Sequence, residues 1–181
     1  MQLHDIPYRV FHRDVKYPRL EFNTGRLHVI LPIGSKPHTL LDKHRRWILG
    51  KVKFIEDCLK DASNRHIIES SEEEFRDLVH SLANRASKEL GKKLNRIYFR
   101  TMKTKWASCS PKRNLMVNLL MRQLPEKLLN YVIFHEIAHL KEKRHNDRFW
   151  EIIEKRFNEY QEVERELFVY WFQIANKKGR F

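Results

Sequence analysis

The stretch that most limits how this chain can fold is LPEKLLNYVIFHEIAHL, residues 124–140. Pro125 stops the segment before it and starts a helix, where its missing N–H is not needed. Leu128, Leu129, Val132, Ile133 and Ala138 then recur at helical spacing, so the helix has to be seated in a core. His135 and His139 stand four apart on that same helix, with Glu136 beside the first. Four residues is close to one turn, so both imidazoles lie on one face and can grip one ion together. A rigid, buried seat for that face is what a catalytic metal site requires.

Glu136 can reach a water on such an ion without ligating it, which is the HExxH arrangement. His145 follows His139 by six residues. The helix is expected to end near Lys143, and a short turn there would swing His145 back as a third ligand. Three protein ligands with one open position is the catalytic form of a zinc site, so one zinc ion per chain is expected. Glu136 would then act as the base. The plainer alternative is a polar helix whose histidines face solvent. The other histidines, His4, His12, His28, His38, His44, His66 and His80, fall into no ligand spacing. Cys58 and Cys109 lack zinc-finger spacing and form no disulfide framework. Reduced thiols are expected, with Cys109 packing rather than reacting.

Around this helix the elements read as α+β. Residues 8–34 alternate as strands, with a hairpin turn at Thr24–Gly25. One helix is expected from Thr39 to about Lys60, its face made of Leu40, Leu41, His44, Trp47, Ile48, Val52, Ile55 and Leu59. DASNRHIIESS is the linker candidate. Ser71 and Glu74 have capping-box spacing, and the helix they start should stop at Gly91. NRIYFRTM and LMVNLLM read as strands, with a turn around SCSPKRN between them. Asn146 or Asp147 would cap the helix RFWEIIEKRF, and a last helix runs from about Gln161 to Asn176. The expected division is an N-terminal β-hairpin, sheet and helix over 1–70 and a catalytic domain over 71–181, packed as one compact unit. Charges through the first thirty residues leave no apolar core for a signal peptide, and LFVYWF is too short to cross a bilayer. A cytoplasmic protein with no membrane partner is the expectation.

The net charge of +13 favours a polyanionic partner, or else a solvated Lys/Glu-rich surface. No acidic residue lies between Glu89 and Glu126, while Lys103, Lys105, Lys112 and Arg113 lie in that interval, interleaved with Tyr98, Phe99 and Trp106. This pattern suits a nucleic-acid, nucleotide or phosphate surface. Equally, the aromatics could be core and the cations simply solvate the strands.

KWASCS, VNLLM and LPEKLLNYVIFHEIAHLKEKRHNDRFW together resemble the YgjP-like metallopeptidase family, which is related to the WLM and SprT-like zinc proteases. The resemblance is dense over residues 100–160. It implies a minimal zincin-like fold, with a small mixed or antiparallel sheet packed on helices. The family's ligands fall on His135, His139 and His145, and its catalytic glutamate on Glu136. Its conserved positions also fall on Asn118, Pro125, Tyr131, Phe149 and Trp150. The usual RWGSCS is KWASCS here, so Lys105 replaces an arginine and Ala107 a glycine. Lys112 and Arg113 stand where a glycine is common. The resemblance further implies that an extended peptide pairs with the edge of NLMVNLL. Lys105, Trp106 and Asn118 are the substrate-binding candidates, with Lys105 or Asn118 as an oxyanion donor. The expected activity is zinc-dependent peptide hydrolysis of a protein or peptide substrate, with a substrate held near nucleic acid as the extension that the basic interval suggests. A metal-dependent nucleoside triphosphate pyrophosphatase is the alternative.

Overall fold

Alternation builds the first sheet. Leu27, Val29 and Leu31 point inward along β3 (Arg26–Pro32), and Pro32 ends the strand. In the computed structural model, which describes residues 6–23, 26–62 and 67–177, β3 is the middle of three strands. β1 (Tyr8–Arg13) runs parallel to it, and β2 (Arg19–Asn23) runs antiparallel on its other side. The Thr24–Gly25 turn, His4, His66 and the middle of the linker candidate lie outside the described residues. Ile6, Leu27, Val29 and Leu31 pack with Leu41 and Ile48 from the helices that follow.

Those helices are two, not one: α1 (His38–Lys43) and α2 (Arg45–Ala62). The break at His44 is slight, because its N–H still reaches the Leu40 carbonyl and its carbonyl takes the Ile48 N–H. The expected apolar face is only partly covered. Ile48 is buried, but Trp47 is 42% exposed and Leu59 39%. The far end of α2 instead turns Cys58 and Ala62 against Val169 and Phe172 of the last helix.

α3 (Glu72–Leu90) begins as its sequence requires. The Ser71 side chain accepts the Glu74 N–H while Glu74 accepts the Ser71 N–H. It ends at Gly91, whose φ of 62° is the left-handed conformation that glycine adopts without cost. The second sheet then forms from β4 (Arg96–Arg100), β5 (Ala107–Cys109) and β6 (Asn114–Asn118). Ser108 and Cys109, expected in a turn, instead form a short strand with Ala107. β6 is the middle strand, parallel to β4 and antiparallel to β5. This corrects the expectation for NLMVNLL. Both sides of β6 are already paired, so it has no free edge, and the edge strand beside the histidine helix is β5. The strand also stops at Asn118, after which Leu119–Gln123 form a 3-10 turn.

α4 (Glu126–Ala138) is the central helix. All five predicted seat residues are buried, together with Tyr131, Phe134 and Ile137. It packs against α3, β5, α5 and α6. It ends sooner than expected, at Ala138, and a turn carries the chain to Asn146. The Asn146 side chain accepts the Phe149 N–H and caps α5 (Asp147–Glu154). α6 (Tyr160–Lys177) closes the core with Val163, Leu167, Tyr170 and Ile174. The architecture is α+β, with two small mixed sheets and six α-helices among the described residues. No helix among them is long and apolar enough to cross a membrane.

Candidate metal centre

His135 lies on the last turn of α4 and His139 caps that helix. The turn after it delivers His145 to the same point. Ligand atoms of all three lie within 4.8 Å of one another, and no other such grouping of three occurs among the described residues. His135 Nε2 and His145 Nε2 are 3.0 Å apart. His139 Nδ1 lies 3.1 Å from the Glu142 carbonyl, to which it donates, leaving its Nε2 lone pair free. Burial first, then His139 and His145, holds His135 down to about 3. Burial and His139 also lower His145. Imidazoles converging on one point are the donor set that a divalent ion takes. The residues present therefore fit a metal.

The rings are fixed by aromatic packing. Phe149, fully buried, stacks on His139 at 4.6 Å, and Trp150 stacks on His145 at 5.5 Å. Tyr131, one turn before His135, lies 5.7 Å from it. His135 Nδ1 is buried without a hydrogen-bond partner, so packing rather than a polar contact holds that side of the ring.

Glu136 points beside the triad, not into it. Its Oε2 accepts the Cys109 backbone N–H at 2.9 Å. Burial raises its pKa, while His139, the Cys109 amide and Lys105 pull it the other way. A carboxylate poised in this manner can both take and return a proton. The Cys109 thiol is pushed up to about 11 by burial, with Glu136 adding to the effect, so it stays protonated.

The remaining expected residues separate. Trp106 is half-buried and Lys105 exposed, and both line the cleft that holds His135, Glu136 and His145. Asn118 does not. It is fully buried and its side chain is spent on the backbone. Oδ1 accepts the Met102 and Leu120 N–H groups, and Nδ2 donates to the Met102 and Lys105 carbonyls. It sets the loop that carries Lys105 and Trp106 and has no free atom for substrate or oxyanion. Lys103 is exposed on that loop but does not line the cleft, while Lys112 and Arg113 sit in the β5–β6 turn, at the far end of the hairpin. Tyr98 is 40% exposed, whereas Phe99 packs inward on Phe75, so the aromatics of this interval divide between surface and core.

Four contributors to the site escaped the sequence reading. The Cys109 amide is a backbone group, which no side-chain pattern can reveal. Lys51, Trp47 and Phe22 reach the cleft from α2 and β2, remote in sequence from the histidines. The exposed tryptophan on α2 was the available signal, hidden by its agreement with the helical period.

Comparison with known proteins bears on residues 58–169, which match the family described as YgjP-like, metallopeptidase domain. The UTP pyrophosphatase of Escherichia coli (strain K12) is 31% identical over 64 residues, which is 35% of this chain. The match spans only 38% of that protein's length. The crystal structure of the metallopeptidase zymogen abylysin of Pyrococcus abyssi is 28% identical, with a TM-score of 0.46, over 49% of this chain and 90% of that one. That of the metallopeptidase zymogen jannalysin of Methanocaldococcus jannaschii is 30% identical, with a TM-score of 0.45, over 49% and 92%.

Proposed function

This chain belongs to the YgjP-like metallopeptidase family, and from that premise we propose that it is a zinc-dependent peptidase, with His135, His139 and His145 as ligands and Glu136 as the catalytic base. The observation that carries the reading is the division of labour among four neighbouring side chains. Three imidazoles converge within 4.8 Å, and a buried carboxylate stands beside them, held by an amide rather than by the ligand cluster. When bound, zinc supplies a Lewis acid that makes water nucleophilic near neutral pH and polarises a carbonyl. Glu136 removes the proton from the attacking water and returns it to the leaving nitrogen. Burial favours its protonated form and the Cys109 amide favours its charged form, so it can serve in both directions.

The edge of β5 is the docking strand in this proposal. Trp106, Ser108 and Ser110 face β6, as the Asn118 to Trp106 and Ser110 to Asn114 hydrogen bonds require. Ala107 and the Cys109 carbonyl are then directed outward, beside the site, where an extended peptide can pair. We place the enzyme in the cytoplasm, its two cysteines unbridged. The test is metal analysis with a peptide assay on wild type and Glu136→Gln. The variant should retain zinc and lose peptide cleavage by about a thousandfold or more. Absence of zinc from the zinc-replete wild type would sink the proposal.

A second reading rests on Lys51 and Lys105, which line the same cleft as the histidines and could receive phosphates. It makes the chain a nucleotide pyrophosphatase, as the name of its Escherichia coli relative suggests. UTP hydrolysis that requires Glu136, without peptide cleavage, would favour it.

We further propose that the substrate protein is held near nucleic acid. Nine cations lie between Lys92 and Arg122, and none is ion-paired among the described residues. Arg96, Tyr98 and Arg100 are exposed along β4. Binding to single-stranded DNA or RNA should fall with salt and weaken when Lys103, Lys105, Lys112 and Arg113 are neutralised. Binding indifferent to both would remove this extension.

A further inference from the structure

The triad opens onto a cleft of about 940 Å³, lined by β2, α2, the loop before β5, α4, α5 and α6. Its walls are aromatic, and three ring pairs each bridge separate elements. Phe22 meets Trp47 at 5.7 Å, Phe54 meets Phe168 at 5.4 Å, and Trp106 meets Trp171 at 4.8 Å. Two of these rings stay substantially in solvent, Trp47 at 42% and Phe168 at 47% exposure. Large apolar side chains left exposed together around a cavity mark a binding groove rather than ordinary surface.

The charges of the cleft narrow the occupant. Apart from Glu136, its charged lining residues are Lys51, Lys105, Glu21 and Glu164, whose formal charges cancel. Glu21 is already paired with Arg19, and one oxygen of Glu164 takes the Tyr131 hydroxyl. With Glu21 held by Arg19, the two lysines are offset by Glu164 and Glu136, so the cleft offers little to a polyphosphate and a strongly charged side chain finds no net partner. A neutral apolar group gains the aromatic walls and loses nothing.

We propose that this cleft is the specificity pocket of the enzyme and takes a bulky apolar side chain, aromatic foremost, from the residue beside the scissile peptide bond. The inference rests on the peptidase reading. Phe22, Trp47 and Phe54 precede the family match, which covers residues 58–169, and Trp171 follows it, so four of the six paired rings are supplied by the chain outside the matched stretch. Selectivity is therefore a property of this chain's β2, α2 and α6, while the chemistry belongs to α4. Trp47 and Phe168 are the specificity residues.

The test is a peptide series identical except at one position, which carries Trp, Phe, Leu, Ala, Lys or Asp, assayed on the zinc-loaded full chain. kcat/KM for the Trp and Phe peptides should exceed that for the Ala peptide by at least about tenfold. Trp47→Ala and Phe168→Ala should each cut that ratio by about tenfold, and Trp47→Phe should keep it. The same peptides are titrated by fluorescence anisotropy against zinc-loaded Glu136→Gln, with and without Trp47→Ala, so that binding is read apart from turnover. Cleavage without discrimination, or with preference for Lys or Asp, overturns the pocket and leaves the peptidase reading standing. Discriminating binding that needs Trp47, with no cleavage by wild type, overturns the peptidase reading and supports the pocket. Neither cleavage nor discriminating binding removes both. UTP bound more tightly than any aromatic peptide, and weakened by Trp47→Ala, would assign the cleft to a nucleobase and overturn the proposal.

Discussion

The two sheets have the same strand arrangement and different consequences. In each, the first strand runs parallel to the third and the second runs antiparallel on the third strand's far side. The sequence has no detectable internal repeat, so the likeness is one of topology alone. The difference lies at the end of the central strand. In the first sheet Arg13 pairs with Pro32, and the chain leaves through an exposed turn. In the second, Arg100 pairs with Asn118, whose side chain stitches the chain leaving β4 to the chain entering β5. A proline cannot do this, because it has neither donor nor side-chain acceptor. The second sheet thereby becomes a rigid frame, and its edge strand presents an amide to Glu136. The first sheet presents side chains to a cleft.

The largest expected effect follows from that stitch. Asn118→Ala leaves four backbone groups, three of them in buried hydrogen bonds, without their partner and should cost about 3–5 kcal/mol, read by chemical denaturation. Activity should fall further than stability explains, since Lys105 and Trp106 lose their anchor. A loss under about 1 kcal/mol would mean that the frame does not depend on this residue.

A matched pair separates the two sheets more finely. Leu27 of β3 is 1% exposed and Leu115 of β6 is 0%. Each Leu→Ala change should cost about 2–5 kcal/mol through lost burial and the cavity left behind. Only Leu115→Ala should reduce activity in the remaining folded protein, because Leu115 is the register partner of Cys109, whose amide holds Glu136. Equal effects of both changes on metal affinity and turnover would erase the distinction between frame and wall.

The sheets should also differ in their response to pH. The small cluster under the first sheet is wholly apolar. The α4–α6 contact contains Glu164, whose pKa burial raises against the opposing pull of Tyr131 and Lys51. A raised carboxyl gives stability that is full below its unfolded pKa and lost as pH rises through the folded value. Gln is neutral throughout and still offers an oxygen to the Tyr131 hydroxyl. Glu164→Gln should therefore melt above wild type near about pH 8, and the gap should close toward about pH 4. A gap that stays constant with pH would show that desolvation of this carboxylate is not what limits the contact.

Much of this was legible because it is local. The capping box, the Gly91 stop, the apolar seat of α4 and the triad spacing all depend on residues within one or two turns of one another. What was not legible depends on pairing at a distance. Strand order decides whether NLMVNLL has a free edge, and the residues within a strand do not encode it. Asn118 suits a substrate contact and a buried staple equally well as a residue type; only its inward direction at the end of β6 decides. The Cys109 amide belongs to the backbone, and any residue but proline there would supply it. Trp47 fitted the apolar period of α2, but the period says which face it lies on and not whether that face is covered.

The smallest effect concerns the turn of the second hairpin. The sequence between β2 and β3 reads Thr24–Gly25, while the turn of the second hairpin reads Ser110–Pro111–Lys112–Arg113. The Arg113 N–H returns to the Ser110 carbonyl at 2.8 Å and the Ser110 N–H to the Asn114 carbonyl at 2.9 Å. This is a type I turn followed by a residue in the left-handed region, a position that normally belongs to glycine. Arg113 holds it with φ of 60°, the one non-glycine residue at positive φ among those described. Asn95 compensates by donating its amide side chain to the Lys112 carbonyl and its backbone N–H to that of Arg113. A side chain in this conformation costs about 1 kcal/mol, and the greater freedom of glycine in the unfolded chain returns part of that. Arg113→Gly should thus stabilise the protein by up to about 1 kcal/mol. The change also removes a cation from the acid-free interval. Arg113→Asn, which tolerates the same conformation and likewise removes the charge, checks the cause. If both variants melt higher, backbone strain is the reason. If only glycine does, the interaction of Asn95 with this turn depends on more than the φ angle. If neither does, the turn is unstrained and the arginine is held there at no cost.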